Sequence, residues 1–290
     1  MMWRRTVSIG IAVPLVLGLA LSWMMVSAMV RPQASHAAPA TPPARDIVLT
    51  STDGLSIAAT YRPGRTPTSP AILLLHGNGA SRAMMAENAA WLAGQGYAVL
   101  AIDFRGHGDS AQRSRSFGVF ESRDAGAAFA WLRREQRGAK IGVVGISLGG
   151  AAALLGAGGP LPVDALVLQA VYPDIRRAVR NRMIAVAGTV AGYALEPLLS
   201  FQAPLRFGVW PGTIAPIAAL RRYRGPVLVI GGGSDLYTPP EETRALYAAA
   251  PGSKQLWIAE GLDHAAVSHV RTPAYRERLL GFFVRHLGKP

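Results

Sequence analysis

The 290-residue chain contains no cysteine, and only three of its 30 basic residues are lysines (Lys140, Lys254 and Lys289). Without thiols it has no disulfide framework, no thiolate nucleophile and no cysteine-based metal site. That absence fits any compartment. Acidic residues are few as well, 17 in all, so the formal net charge is +13. The arginines are scattered along the chain. A nucleic-acid-binding surface would gather them into a stripe with aromatics interleaved, so no nucleic-acid partner is expected; a basic surface near anionic lipid is the simpler reading. No internal repeat and no His/Cys cluster is present, so neither a metal nor a cofactor is expected. Only 16% of residues are charged and half are hydrophobic, a balance that hints at a membrane segment.

Residues 6–30, TVSIGIAVPLVLGLALSWMMVSAMV, carry no charge at all. The run is long enough to cross a bilayer and longer than the apolar core of a typical cleaved signal. Arg4 and Arg5 precede it, so the positive-inside rule keeps the N-terminus in the cytoplasm and exports the rest of the chain. Arg31 on the far side weakens this asymmetry slightly. Small-residue cleavage sites after Ala28 and Ala37 leave a released form open, but length favours an uncleaved anchor over residues 1–30. Residues 31–45, RPQASHAAPATPPAR, are Pro/Ala-rich and aperiodic, which reads as an extended tether.

From residue 46 on, strand and helix patterns alternate. DIVLTSTDGLSIAATY is a hairpin pattern turning near Asp53-Gly54. AILLLH (71–76), YAVLAID (97–103), IGVVG (141–145), VDALVLQA (163–170), GPVLVIGG (225–232) and KQLWIA (254–259) are short apolar runs suited to buried strands. Helical stretches fall between or after them: 83–95, 121–137, about 240–250 and 274–287. This alternation predicts an α/β fold, a mostly parallel sheet with helices on both faces. Ligand sites in such sheets lie beyond the carboxyl ends of the strands.

At one strand end, KIGVVGISLGGAAALLGAGG (140–159) passes from an apolar strand to an alanine-rich helix with Ser147 at the turn. Gly145 and Gly149 flank it at two positions on either side. Such a turn drives its central residue towards positive φ, costly for anything but glycine. It projects the serine oxygen clear of the sheet and aims the first free N–H groups of the helix at the same place. GPVLVIGG runs into Gly233-Ser234-Asp235, and KQLWIA into Glu260-Gly261-Leu262-Asp263-His264. The chain order of candidate groups is therefore Ser147, Asp235, His264. A serine hydroxyl needs a base, and imidazole titrates near the working pH; His264 is that base, and Asp235 would fix its tautomer. Asp263 is the second-ranked acid, since neighbouring loop side chains usually point apart, and Asp174 the third. Leu148 N–H at the start of the elbow helix is a candidate oxyanion donor.

With HGNG (76–79), DFRGHGDS (103–110), GISLGG (145–150), the Asp after the glycine-rich strand end and GLDH (261–264), the chain resembles the α/β-hydrolase superfamily, whose triad runs in this order. The resemblance covers roughly residues 46–288. It implies a second oxyanion donor in the loop after the first long strand, Asn78 N–H. It also implies structural roles for His76 and His107, with Asp103 and Arg105 bracing loops. About 55 residues separate the VLQA strand from GPVLVIGG, and in hydrolases of this kind that position holds a cap, here about 172–224. Its middle, 183–201, has Glu196 as its only charge. A full membrane span there would put Asp235 and His264 across the bilayer from Ser147, so a helical cap is expected. It would line a lipophilic pocket or dip into the outer leaflet.

The expectation is a membrane-tethered serine hydrolase, extracytoplasmic, acting on a small ester or lipid-like substrate. A peptidase, thioesterase, acyltransferase or perhydrolase would use the same residues, and a non-catalytic binding protein could use the same fold. Oligomeric state is left open.

Overall fold

A segment buried on both faces can satisfy its backbone only through ladder hydrogen bonds, and the apolar runs do so in one sheet. The computed structural model describes the backbone of residues 2–290 and the side chains of residues 16–290. The strands are β1 (Arg45–Thr50), β2 (Ser56–Arg62), β3 (Ala71–Leu75), β4 (Ala98–Ile102), β5 (Ile141–Ile146), β6 (Ala165–Gln169), β7 (Val227–Gly232) and β8 (Lys254–Ala259). Their spatial order is β8-β7-β6-β5-β3-β4-β2-β1. β2 runs antiparallel to both β1 and β4, and the other five pairs are parallel. The strands β3 to β7 are buried at every position.

The helices are α1 (Met2–Met29), α2 (Ala86–Gly94), α3 (Glu121–Glu135), α4 (Leu148–Leu154), α5 (Ile175–Ser200), α6 (Ala203–Phe207), α7 (Pro216–Leu220), α8 (Pro240–Ala249), α9 (His264–Ser268) and α10 (Pro273–Leu287). The period-2 alternation of strand side chains divides the core into two layers. Leu73 and Leu75 join Ala125 and Leu132 of α3 and Ala152 of α4 in one layer. Ile72 and Leu74 join Leu92 of α2 and Tyr275 and Phe283 of α10 in the other. The helix expected over 83–95 differs at its start: Arg82–Met85 is a 3₁₀ turn, and α2 begins at Ala86. The Arg82 amide donates to Asp103 Oδ1 and its guanidinium pairs with Oδ2, which holds this entry turn against the strand end.

The insertion after β6 forms a helical cap. Ile175–Phe207 is long and apolar enough to cross a membrane, but two observations exclude a single crossing. First, β6 and β7, which precede and follow it, are hydrogen-bonded neighbours. Second, α5 turns at Gly188, whose φ of 84° is outside helical space. Arg176 and Glu196 would lie about 30 Å apart along a straight helix, yet they form a two-point ion pair at 2.8 and 2.9 Å. The two arms of α5 therefore fold back on each other.

Residues 31–45, expected as a tether, lie against the body. Gln33–Ala34 pairs in parallel with His107–Gly108, Arg115 N–H donates to Val30 O, and His36 Nδ1 contacts Asp109 at 2.7 Å. Composition cannot reveal this, because the partners lie some 70 residues away in sequence.

Between β5 and α4 only Ser147 intervenes, and the turn is packed to contact. A Cβ added at Gly145 would lie 2.6 Å from the Gly150 backbone, and one at Gly149 would lie 2.2 Å from the Leu75 carbonyl oxygen. Gly126, in α3, has nothing within 4 Å of such a Cβ. Gly149→Ala is therefore expected to cost about 3 kcal/mol or more through backbone overpacking. Gly126→Ala should gain up to about 1 kcal/mol through lower unfolded-state entropy. Urea denaturation of the two variants checks both signs.

Candidate active site

Ser147 has φ 49° and ψ −110°, the left-handed side of backbone space expected of the elbow. Its amide donates to Gln169 O on β6, which fixes the turn to the sheet. Leu148 is the first residue of α4, so its N–H has no intrahelical acceptor. The HGNG loop lies beside it: a Cβ built at Gly77 would sit 3.7 Å from Ser147 Cβ. Asn78 borders the same cavities as Ser147, and its side-chain oxygen accepts from Arg115 at 2.9 Å.

Asp235 is buried and accepts four hydrogen bonds. Oδ1 takes the amides of Tyr237 and Thr238 (2.8 and 2.9 Å), and Oδ2 takes the Thr238 hydroxyl (2.6 Å) and His264 Nδ1 (2.8 Å). Burial alone would raise its pKa. The bonds and charge of His264, then those of Thr238, outweigh it and hold the carboxyl below its ordinary value. With Nδ1 engaged on Asp235, Nε2 is the ring nitrogen left for chemistry. His264 opens α9, which is docked by Gln169 Nε2 donating to Val267 O at 2.6 Å. The β6 end thus sets the position of both the serine and the histidine.

The rival carboxylates have other occupations. Asp263 caps α9 through Ala266 N–H, and Asp174 caps α5 through Arg177 N–H. Asp103 holds Arg82 and the Asp109 amide, while Arg105 is clamped by Asp124 and Asp53. Among the described residues no group of three or more His, Cys, Asp or Glu converges as a metal would need.

Ser147, Asn78, His264 and Arg182 border two cavities. One is walled chiefly by Met29, Phe117, Tyr172, Ile175 and Val179. The other is more polar and opens along the HGNG loop and α9. Ser147 therefore borders both an apolar cavity and a more polar one. Sequence reasoning missed Arg182, Thr238 and Met29. Thr238 carried a faint signal, three residues after the acid. Met29 and Arg182 carried none, since tertiary packing alone brings α1 and the cap to the site.

Against known proteins, residues 66–200 match the family described as serine aminopeptidase, S33. The uncharacterized protein Rv2307c of Mycobacterium tuberculosis is 35% identical over 236 residues, covering 80% of this chain and 75% of its own. The chain belongs to the α/β-hydrolase superfamily. YqkD of Bacillus subtilis, an uncharacterized protein, is 32% identical over 64% of this chain and 62% of its own. Among solved α/β-hydrolases, an esterase of Pyrococcus furiosus, Pf2001, superposes with a TM-score of 0.72 at 23% identity, covering 90% of this chain and 99% of that one. At that identity the likeness shows the fold.

His76 and His107 act as hydrolase scaffolding. His76 Nδ1 meets Gly77 O at 2.7 Å and Nε2 accepts from Phe104 N–H, while His107 Nδ1 meets Arg105 O at 3.0 Å. Burial lowers their pKa values to about 4 and about 3. An unfolded histidine takes up its proton near 6.5, so below that pH the unfolded chain binds more protons than the native one. The stability these rings supply is therefore fully present above pH 6.5 and falls as pH drops towards 4. Each should contribute a loss of up to about 1.4 kcal/mol per pH unit in that window. His107→Phe is expected to flatten the slope, as read by urea denaturation at pH 7 and pH 5.

Proposed function

We propose that this α/β-hydrolase is a membrane-tethered serine hydrolase that cleaves carboxylic esters through an acyl-enzyme on Ser147. The observation that carries the reading is a buried, fully bonded Asp235 gripping His264 on a cavity that Ser147 also lines. His264 Nε2 takes the seryl proton as Oγ attacks the ester carbonyl, and the Leu148 and Asn78 N–H groups receive the developing oxyanion. The imidazolium then protonates the departing alcohol. Water, activated by the same nitrogen, attacks the acyl-enzyme and releases the acid.

The charge around the serine favours an ester over a peptide with a free amino terminus. No carboxylate is among the described residues lining either cavity, and Arg182 contributes a cation to both. A substrate ammonium would find no partner there.

Tethering is supported by the uncharged run of residues 6–30 and by the α1 surface, where Leu21 and Met24 are about two-thirds exposed. Arg4 and Arg5 favour a catalytic domain outside the cytoplasm. Ser22, Val26 and Val30 are buried, so residues 6–21, about 24 Å of helix, remain for the bilayer. With residues 31–45 pinned down, the domain would rest against the leaflet, where Val190 (86% exposed) and Leu205 (81%) of the cap offer further apolar contact.

A fluorophosphonate probe should label Ser147 in the folded protein, and absence of an adduct there would end the proposal. Ser147→Ala is expected to lower kcat on p-nitrophenyl esters by about 10⁴-fold or more. Asp235→Asn should cost roughly 10⁴-fold by losing the required tautomer, whereas Asp263→Asn, which can still cap α9, should stay near wild type.

A further inference from the structure

The apolar chamber beside Ser147 does not end at the catalytic residues. Met29, Phe117, Ile175 and Val179 line it, and the same four side chains also wall a second, narrow cavity. That second space lies in the seam between α1 and the cap, bounded also by Val26, Leu199, Ala203 and Phe207. Its two polar neighbours are already engaged. Ser200 Oγ donates to Glu196 at 2.6 Å; Arg206 donates to Trp23 O, Ser27 Oγ and Gln202, with its guanidinium 3.8 Å from the Trp23 ring centre. Nothing in the seam asks for a polar ligand.

The partition between the two spaces has two notable members. Phe117 is held at φ 55°, and its ring meets Phe207 edge-on at 6.2 Å. A left-handed phenylalanine is costly and persists only where its surroundings over-determine it. Met29 is unbranched and rotates readily, so it can yield to a chain passing beside it.

We propose that the seam between α1 and the cap is the acyl-chain subsite, and that an ester carbonyl held at Ser147 threads a hydrocarbon tail past Met29 into it. This rests on the serine-hydrolase reading and adds the substrate class: esters of medium or long unbranched acyl chains. The N-terminal helix is then part of the substrate pocket as well as an anchor. Cleavage after Ala28 would remove Val26, and cleavage after Ala37 would remove Met29 as well, so a processed form would lose this selectivity.

The full-length protein in lipid nanodiscs provides the test, with p-nitrophenyl acetate and laurate as substrates. Val26→Trp should lower kcat/KM for laurate at least tenfold while leaving acetate near wild type, and Met29→Ala should move the chain-length optimum upward. An independent readout is photocrosslinking of a 12-carbon fatty acid with a terminal diazirine to Ser147→Ala protein, expected to map to residues 22–30 or 199–207. Equal losses on both esters in Val26→Trp, an unchanged chain-length profile in Met29→Ala, or crosslinks confined to other segments would overturn the subsite. Crosslinking in the seam without turnover of any ester by the wild type would instead sink the hydrolase reading and leave the binding site standing.

Discussion

The direct passage from β5 into α4 is the constraint on which the rest of the molecule depends. One residue has to reverse a buried strand into a helix, and it can do so only where neighbouring side chains are missing. Gly149 brings α4 against the Leu75 carbonyl, and Gly145 admits the Gly150 backbone. Ser147 carries the resulting strain at φ 49°. Strain of about 1–3 kcal/mol at a single residue survives because the sheet on one side and the helix on the other fix its ends. The same geometry leaves the Leu148 N–H without an acceptor and the seryl oxygen at the rim of a cavity. Local cost and chemical opportunity have one cause.

Around that turn, several buried charged groups are committed to architecture. Asp103, Arg105, Asp124 and Asp53 tie the loop after β4 to α3 and the β1–β2 turn. Glu121 accepts from Ser116 and Gly118 and so shapes the approach to Phe117. Asp235 differs from these in sharing its carboxylate with a histidine on a cavity. Half-satisfied buried charge is expensive, and the hydrogen bonds in these two clusters engage the carboxylates of Asp103, Asp124 and Glu121 in holding loops together.

The alternation of apolar runs and the order of polar residues at strand ends were enough to read the sheet and to single out Ser147, Asp235 and His264. Those features are local: hydrophobic period, glycine spacing and strand-to-loop transitions all lie within a dozen residues. What the sequence could not display is contact across long separations. Gln33 pairs with His107, Arg206 covers Trp23, and Met29 reaches the Ser147 cavity. The 3₁₀ start before α2 escaped for the same reason, since its cause is Asp103, about 20 residues downstream. Asp263 shows the converse. It adjoins the histidine in sequence, yet helix capping turns its carboxylate to the Ala266 amide of α9.

Hydropathy was ambiguous at both apolar segments, and connectivity decides what each can do. The stretch Ile175–Phe207 meets the length and composition of a membrane span, but neighbouring strands at its two ends and the reversal at Gly188 force it to return to the side it left. A folded-back apolar hairpin must still bury some of its surface. Part of that burial comes from Val26 of α1 and from Val30 just after it, against Ile175, Val179 and Leu199. Apolar burial is non-directional and scales with area, so one hydrophobic body made from α1 and the cap need not distinguish a protein side chain from an acyl tail or a lipid. The ambiguity that hydropathy shows in the sequence thus becomes a physical property of the fold: exposed apolar side chains such as Val190 and residues that line the Ser147 cavity such as Val179 lie on the same cap helix.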